Sequence, residues 1–571
     1  MRYLVLACDF DGTIATDGNV REETLAALHR LRDSGRKLVL VTGREMEDLL
    51  KVFPTVEVFD RVVVENGGVL YRPASHEYRA LGDPPPAAFV EALRARKVSP
   101  LAIGHCIVAT WQPNESVVLE IIRDLGLELQ VIFNKGAVMV LPSGLNKATG
   151  LEAALLELGL SRHNCVGVGD AENDHALMRL SECGVAVANA LPLVRERADW
   201  VTPSRNGDGV AQLIERLIAD DLAALSDRLT RHAVVLGVRA DGEEIRLDPY
   251  GLSLLIAGAS GSGKSTFATG LLERLAGQGY QFCIVDPEGD YALFENTIVL
   301  GGKEHAPTVA GVLDVLEQPD HNVVVNLLGL GLDERPAFFS KLLSGLQDLR
   351  SRTGRPHWIV IDEAHHLLPA PSNLVSVTLP RSLSGMILIT VHPEHVNPAV
   401  LGSIDLAVTI GRAAEETLRA FGETVGAPPL AVPPAGSEAG QALLWQRRPE
   451  ARDPLWLRTV APRSEHRRHI RKYATGELGE DKSFYFRGSA GQLKLRAQNL
   501  VLFIQLAAGV DDETWTHHLR NHDYSRWFRD AIKDEGLASE ATGVEGDANL
   551  TPEDSRRLIK AAIERRYTLP S

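Results

Sequence analysis

The stretch 254–266, near the middle of the chain, constrains the fold more than any other. It is an apolar run followed by a glycine-rich loop, Leu-Leu-Ile-Ala-Gly-Ala-Ser-Gly-Ser-Gly-Lys-Ser-Thr. The spacing of Gly258, Gly263, Lys264 and Ser265 fits a phosphate-binding loop. Glycines let successive backbone N–H groups face a phosphate, and the following helix adds the positive end of its dipole. The sequence therefore predicts a buried strand, a phosphate-binding loop and a helix that begins at about Lys264.

Residues in and after this loop are predicted to bind MgATP. The candidates within the loop are Gly258, Gly261, Ser262, Gly263, Lys264, Ser265 and Thr266. A later apolar run, 358–361, ends in Asp362 and Glu363. We expect Asp362 to bind magnesium through water, opposite Ser265, and Glu363 to polarise the attacking water. His392, after a further predicted strand, is a candidate sensor of the γ-phosphate.

Three segments, Gly258–Thr266, Asp286–Tyr291 and Ile361–His365, resemble the HerA/FtsK-type branch of motor ATPases. The resemblance implies a homo-oligomer, in that branch a ring hexamer, with an arginine supplied by the neighbouring subunit. Arg381 and Arg412 are both candidates for that arginine. Relatives usually carry Gln where His392 stands, and this departure puts the sensing geometry in question.

The N-terminal region carries a second set of chemical residues. A predicted strand at 3–7 ends in Cys8-Asp-Phe-Asp-Gly-Thr13, which places two carboxylates on one side of the chain. Such a pair is costly to bury without a cation. Further polar residues follow predicted strands or open a helix, namely Thr42, Lys147, Asp170 and Asp174. The carboxyl ends of parallel strands meet in one crevice, so these side chains are expected to converge.

These residues resemble the four motifs of the haloacid-dehalogenase (HAD) phosphatase superfamily, over roughly residues 1–220. The resemblance implies that Asp9 is the nucleophile and Asp11 the general acid and base. It also implies that Thr42 binds the phosphate and that Lys147 offsets the negative charge. The implied magnesium ligands are Asp9, Asp170 and the main-chain carbonyl of Asp11, with Asp174 supporting the site.

The expected fold class is α/β throughout the first two regions. An HAD Rossmann-like core (1–81 and 143–225) with a small α/β cap (82–142) precedes a P-loop domain (232–455). A mainly helical accessory domain (461–571) follows. The cap resembles that of type II HAD phosphatases, which selects the substrate.

Composition limits the remaining possibilities. The net charge of −15 argues against a general nucleic-acid coat, although the basic and aromatic segment 463–496 is a candidate nucleic-acid contact. The five cysteines fall at no metal spacing, and no apolar run reaches 18 residues. We therefore expect a cytoplasmic protein without a membrane partner.

The predicted function is a magnesium-dependent phosphomonoesterase, acting on a phosphorylated small molecule, fused to a motor-type ATPase. Two alternatives stay open. One is an end-processing enzyme like the polynucleotide kinase-phosphatases, in which Asp286 would be the base. The other is an ATP-gated oligomeric protein of regulation or defence.

Overall fold

The computed structural model describes residues 2–259, 262–370, 384–434, 440–448, 450–463, 473–474, 478–479, 482–488, 493–532 and 534–567. Gly261 and Arg381 lie outside these residues, as does much of segment 463–496. The chain divides into two units, Met1–Val460 and Ala461–Ser571.

The first unit begins with an eight-stranded sheet, which we call the N-terminal sheet. Its strands, in spatial order, are Trp200–Val201, Cys183–Ala186, Cys165–Gly169, Val5–Cys8, Lys37–Val41, Arg61–Val64, Val69–Arg72 and Glu77–Ala80. The first six are parallel, and the last two add an antiparallel edge. The central strand, Val5–Cys8, is apolar along its whole length because helices cover both faces of the sheet.

The α-helices that cover this sheet come from both halves of the N-terminal region. They are Glu22–Asp33, Met46–Val52, Lys147–Glu157, His175–Leu180, Pro192–Arg197 and Asn206–Asp220. Short 3-10 helices occupy Val56–Val58, Glu65–Gly67, Arg162–Asn164, Glu172–Asp174 and Ala223–Arg228.

A smaller layer, the cap, is inserted into this region. It has a four-stranded antiparallel sheet in the order Ala102–Ile103, Val108–Trp111, Ala137–Pro142 and Leu129–Asn134, with helices Ala87–Ala95 and Glu115–Asp124. The apolar run 101–109 does not form one continuous strand. The run turns at 104–107, where the buried carboxylate of Glu65 accepts the N–H groups of Cys106 (2.7 Å) and its two neighbours.

An eleven-stranded sheet, the central sheet, forms the rest of the first unit. Its order is Glu244–Leu247, Val234–Val238, Leu455–Thr459, Gln441–Gln446, Leu406–Ile410, Ser253–Ala257, Met386–Thr390, Trp358–Ile361, Phe282–Asp286, Asn322–Asn326 and Thr297–Leu300. The strands from Leu406–Ile410 onward are mutually parallel. Their carboxyl ends therefore share one edge, which collects the phosphate-binding loop, the acidic pair and His392.

The described helices around the central sheet are Lys264–Gly277, Val309–Leu316, Arg335–Thr353, Ala364–Leu367, Pro398–Gly402 and Ala414–Thr424, with a 3-10 turn at Pro393–His395. Two apolar clusters, one on each face, bury the sheet.

The two large sheets of the first unit meet along a polar seam. Arg355 is fully buried there and donates to the carbonyl of Gly159 (2.5 Å) and to Oε1 of Gln281 (2.9 Å). The ring of His163, from the N-terminal region, stacks on Tyr280 with 3.7 Å between centroids.

The second unit is mainly helical, as predicted. Its described α-helices are Leu500–Gly509, Asp512–Arg520, Asp523–Asp530, Glu535–Gly546 and Pro552–Tyr567, beside a ladder of Phe484–Phe486 and Leu495–Ala497. The stretch 538–548 has the polar, small-residue composition of a linker, but most of it is helical. Leu537, Ala538 and Ala541 are buried on one face of a helix, and small side chains gave that face little hydrophobic signal. None of the helices described in either unit combines the length and the apolarity needed to span a membrane.

Candidate functional site

Three buried carboxylates meet at the edge of the N-terminal sheet. Asp9 follows strand Val5–Cys8, and Asp170 follows the adjacent parallel strand Cys165–Gly169. Oxygen atoms of Asp9, Asp170 and Asp174 all lie within 4.8 Å of one another. All three residues are buried, so their mutual repulsion is poorly screened and requires positive charge nearby.

Lys147 supplies part of that charge. Its Nζ lies 2.5 Å from Oδ1 of Asp9 and 2.6 Å from Oδ1 of Asp174. Lys147 is the first residue of its helix, which Asn146 caps by accepting the N–H groups of two later residues. Burial alone would lower the pKa of Lys147, but the two carboxylates outweigh it and raise the pKa. The ammonium is therefore held in its charged form.

Burial raises the pKa of Asp9, the charge of Asp174 adds to the rise, and Lys147 opposes it. Asp174 also organises the backbone, because its Oδ2 accepts the N–H groups of Asp170 (2.8 Å) and Ala171 (2.9 Å). Asp174 is thus fixed from both sides and supports the neighbouring acid.

Asp170 retains an oxygen for another ligand. Its Oδ1 is buried and has no hydrogen-bond partner among the described residues. Its Oδ2 accepts from Nζ of Lys135 at 2.6 Å, and the same ammonium lies 3.4 Å from the carbonyl of Asp11. These acceptors are the hard oxygens that Mg²⁺ prefers, so the residues fit a magnesium ion.

Asp11 faces the open side of the site. Its carboxylate accepts from Nε and Nη2 of Arg44 at 2.7 and 2.8 Å, and its side chain is 41% exposed. Thr42 is buried nearby, and its hydroxyl oxygen accepts the N–H of Arg44 at 3.2 Å. Gly12, with φ +86°, must be glycine, because a Cβ there would lie 2.3 Å from Oδ2 of Asp170.

Sequence reasoning assigned no role to Lys135, Arg44 or Glu65. Arg44 lies two residues after Thr42, and this proximity was the available signal. Lys135 occupies a turn of the cap between two strands, 35 residues from the acid that it contacts. Nothing in its local sequence distinguishes it from a solvent-exposed turn lysine.

The phosphate-binding loop has the predicted strand–loop–helix form. Strand Ser253–Ala257 precedes it, and helix Lys264–Gly277 begins at the predicted lysine. Gly258 has φ +153°, and a Cβ there would lie 2.3 Å from the carbonyl oxygen of Ile410. Gly263, also with positive φ, precedes the helix directly.

Polar groups in this loop are available to an anion. Nζ of Lys264 donates to the carbonyl of Ala259 at 3.1 Å, and burial lowers its pKa. The buried hydroxyl of Ser262 has no hydrogen-bond partner among the described residues. Ser265 and Thr266 are partly buried in the first turn of the helix.

The acidic pair lies near the loop. The negative charges of Glu363 and Asp362 both act to raise the pKa of Lys264, against the effect of burial. Burial, with the charge of Glu363, raises the pKa of Asp362 well above its usual range. Glu363 has φ +42°, a left-handed conformation that is strained for a non-glycine residue and is concentrated at functional sites.

His392 follows the neighbouring strand, Met386–Thr390, and is half exposed. Its Nδ1 lies 3.0 Å from Oε1 of Glu394. The histidine is also close enough to Glu363 to act on the pKa of that carboxyl group. The structure thus places this histidine beside the acidic pair.

Asp286, the base of the kinase alternative, is engaged by its own loop. Its Oδ1 accepts the N–H groups of Glu288, Gly289 and Asp290, and its Oδ2 accepts that of Tyr291. The residue is fully buried. This arrangement orders the loop and leaves Asp286 without access to an incoming hydroxyl.

Comparisons with known proteins match separate parts of the chain. A family model for haloacid dehalogenase-like hydrolases matches residues 6–81 and 114–214. A model for the central domain of helicase HerA matches residues 236–338.

Curated relatives resemble the N-terminal region. A phosphoglycolate phosphatase of Methanothermobacter thermautotrophicus is 31% identical over 223 residues, which are 37% of this chain and 98% of the relative. A phosphoglycolate phosphatase of Haloarcula marismortui is 32% identical over 217 residues, 37% of this chain and 95% of its own. A solved haloacid dehalogenase-like hydrolase from Bacteroides thetaiotaomicron is 22% identical, covers 38% of this chain and 99% of its own, and has a TM-score of 0.34.

Proposed function

Because this chain belongs to the haloacid dehalogenase-like hydrolase family and carries a HerA-type domain, we propose that it is a magnesium-dependent phosphomonoesterase joined to an ATP-hydrolysing domain. In this proposal, segments 1–81 and 143–225 form the phosphatase core, and 82–142 form its cap. The observation that carries the proposal is the buried ammonium of Lys147 between the carboxylates of Asp9 and Asp174.

Asp9 is the proposed nucleophile. One carboxylate oxygen attacks the phosphorus, the bond from phosphorus to the ester oxygen breaks, and an aspartyl phosphate forms. Lys147 lowers the cost of bringing a carboxylate against an anionic phosphate, since its positive charge is already fixed beside Asp9. The hydroxyl of Thr42 contributes a hydrogen bond to the phosphate.

Asp11 is the proposed proton carrier. It protonates the leaving oxygen and then accepts a proton from the water that hydrolyses the aspartyl phosphate. Its ion pair with Arg44 fixes the position of the carboxyl group. Its partial exposure lets it meet both the leaving group and water.

The residues that would hold magnesium are Asp9, Asp170 and the carbonyl of Asp11, with Asp174 supporting them. When bound, the ion supplies positive charge to the phosphate oxygens. Lys135 now contacts two of these acceptors, Asp170 and the Asp11 carbonyl, which marks this position as one that attracts a cation.

The substrate class follows from the relatives and the cap. Both curated relatives described above are phosphoglycolate phosphatases. We extend the proposal to a small phosphorylated acid, and 2-phosphoglycolate is the first substrate to test. Lys135 places a cation from the cap beside the acidic cluster, where it can meet a substrate carboxylate.

The second reaction is ATP hydrolysis. Lys264 and the loop N–H groups bind the phosphates, Ser265 and Asp362 hold the magnesium, and Glu363 polarises the water. His392 stays a candidate γ-phosphate sensor. Assembly into a homo-oligomeric ring and nucleic-acid binding through 463–496 stay predictions.

Reciprocal single substitutions test the proposal. Asp9→Asn should reduce phosphate release from 2-phosphoglycolate by at least about 1,000-fold and leave ATP hydrolysis unchanged. Asp17→Asn, at an exposed aspartate of the same region, is the matched control. Lys264→Ala and Glu363→Gln should stop ATP hydrolysis and leave the phosphatase unchanged, with Glu423→Gln as their exposed control.

The two halves of the proposal can fail separately. Normal phosphate release by Asp9→Asn contradicts the nucleophile assignment. Normal ATP turnover by Glu363→Gln contradicts the assignment of the water-polarising group. Transfer of the γ-phosphate to an oligonucleotide, with no release into water, would restore the kinase alternative.

A further inference from the structure

A second polar cluster, away from the acidic site, lies at the seam between the N-terminal and central sheets. It consists of His163, Glu182 and His232, and one ligand-type atom of each lies within 4.8 Å of those of the other two. His163 and Glu182 are buried, and the side chain of His232 is 11% exposed. Buried polar groups of this kind need hydrogen-bond partners, and the cluster does not provide enough of these partners.

The hydrogen bonds of His163 reveal the deficit. Its Nδ1 lies 2.8 Å from Oε2 of Glu182, and its Nε2 lies 2.8 Å from the carbonyl oxygen of Gln278. The carbonyl oxygen and a carboxylate oxygen are both acceptors, and a neutral imidazole can donate to only one of them. A neutral imidazole could donate to the carbonyl and offer its Nδ1 lone pair to a metal ion instead.

His232 supplies an atom that lacks a partner. Its Nε2 is buried, has no hydrogen-bond partner among the described residues, and lies 3.7 Å from Oε2 of Glu182. The unpaired nitrogen points toward the same carboxylate oxygen that faces His163.

We propose that Nδ1 of His163, Oε2 of Glu182 and Nε2 of His232 bind a divalent transition-metal ion of the Zn²⁺ type. Two imidazoles and one carboxylate are a known zinc ligand set, and water completes a tetrahedron. With bonds of about 2.0 Å, tetrahedral ligand atoms lie about 3.3 Å apart. The observed 2.8 and 3.7 Å separations reach that value by shifts of about 0.5 Å.

Surrounding contacts orient these three ligands. The Nε2–H of His163 donates to the Gln278 carbonyl, a typical outer contact of a metal-bound histidine. Arg2 holds the other carboxylate oxygen of Glu182 at 2.6 Å, which leaves Oε2 free to face the cluster. The positive charge of Arg2 opposes a cation here, and the carboxylate of Asp248 acts on Arg2 and offsets part of that charge.

A metal ion in this cluster would link separate segments of the chain. His163 and Glu182 belong to the N-terminal region, whereas His232 lies in the segment that enters the central sheet. Gln278 and Tyr280, which contact His163, belong to the P-loop region. A bound ion would therefore fasten the connecting segment to the N-terminal region, at the point where both regions meet. This inference does not depend on either proposed reaction.

Metal analysis of the full-length protein tests the proposal. The protein is stripped with a chelator, reloaded with Zn²⁺ in excess Mg²⁺, and dialysed. Wild type should retain about one zinc ion per chain, and the zinc should raise its melting temperature. His232→Gln and Glu182→Gln should each lose the ion and the thermal response, while circular dichroism checks that they are folded.

Two controls separate this cluster from other sites. His29→Gln changes an exposed histidine and should keep the zinc. A His392→Gln, His395→Gln double variant removes the exposed histidines of another candidate cluster and should also keep it. The proposal is overturned if wild type retains no zinc, if folded His232→Gln retains as much zinc as wild type, or if only the double variant loses it.

Discussion

Lys135 connects the cap to the acidic cluster. Its replacement by methionine should raise the KM for the substrate and lower the magnesium concentration that gives half-maximal activity. Its ammonium lies 2.6 Å from Oδ2 of Asp170, and its side chain is 45% exposed. Burial alone would lower the pKa of Lys135. The hydrogen bond to Asp170 and the negative charge of that carboxylate outweigh the effect of burial and raise the pKa. The residue is therefore a cation at neutral pH.

Magnesium and the ammonium compete for Asp170. An ion bound between Asp9 and Asp170 would repel Lys135, which could then turn toward an anionic substrate group. Loss of one charge-assisted hydrogen bond costs about 1.5–3 kcal/mol, and partial exposure reduces this to about 1–2 kcal/mol. The expected result for Lys135→Met is a fall in kcat/KM of about 5–30-fold, mainly through KM. The magnesium concentration that gives half-maximal activity should decrease.

Steady-state phosphate release from 2-phosphoglycolate, measured over a grid of substrate and magnesium concentrations, checks both effects. Arg123→Met is the matched control, because it removes an exposed cation from a helix of the same cap. Its kinetic constants should equal those of wild type. Unchanged KM and unchanged magnesium dependence in Lys135→Met would refute the reasoning, as would a fall in kcat alone.

Two further predictions concern buried charges. Lys147→Met leaves the carboxylates beside it uncompensated and should destabilise the N-terminal region by about 3–5 kcal/mol, seen as a lower calorimetric melting temperature. Adding Asp174→Asn should recover part of this loss, and no recovery would contradict the charge argument. Asp286→Asn keeps the shape of the side chain but loses acceptor capacity, so it should cost about 1–3 kcal/mol in urea unfolding. ATP should still be hydrolysed by this variant in low urea, and complete loss by a folded variant would assign Asp286 a direct chemical role.

Much of the fold was predictable because its signals are local. The strand before Asp9 and the strand before Gly258 are short apolar runs that end in polar or glycine-rich loops. The helix from Lys264 begins where the loop spacing predicts it. Parallel strand ends then bring Asp9 and Asp170 together, as the alternation of strands and helices predicts.

What the sequence could not reveal depends on packing between distant segments. Lys135 reaches Asp170 only because the cap folds over the N-terminal sheet. The cluster of His163, Glu182 and His232 has no sequence spacing that marks a metal site, because its members come from three separate segments of the chain. In the second unit, the helix Glu535–Gly546 buries alanines, whose weak hydrophobic signal resembles that of a linker.

Packing, rather than motif, also bears on the kinase alternative. From the sequence, Asp286 ends a strand beside the phosphate-binding loop, as a catalytic base would. In the structure, four backbone N–H groups of 288–291 occupy its two oxygens, and the residue is fully buried. A base must reach the hydroxyl that it deprotonates. Glu363, in contrast, is partly exposed, lies near Lys264 and has strained backbone. This geometry supports the proposal that water, rather than a nucleic-acid or metabolite hydroxyl, accepts the γ-phosphate.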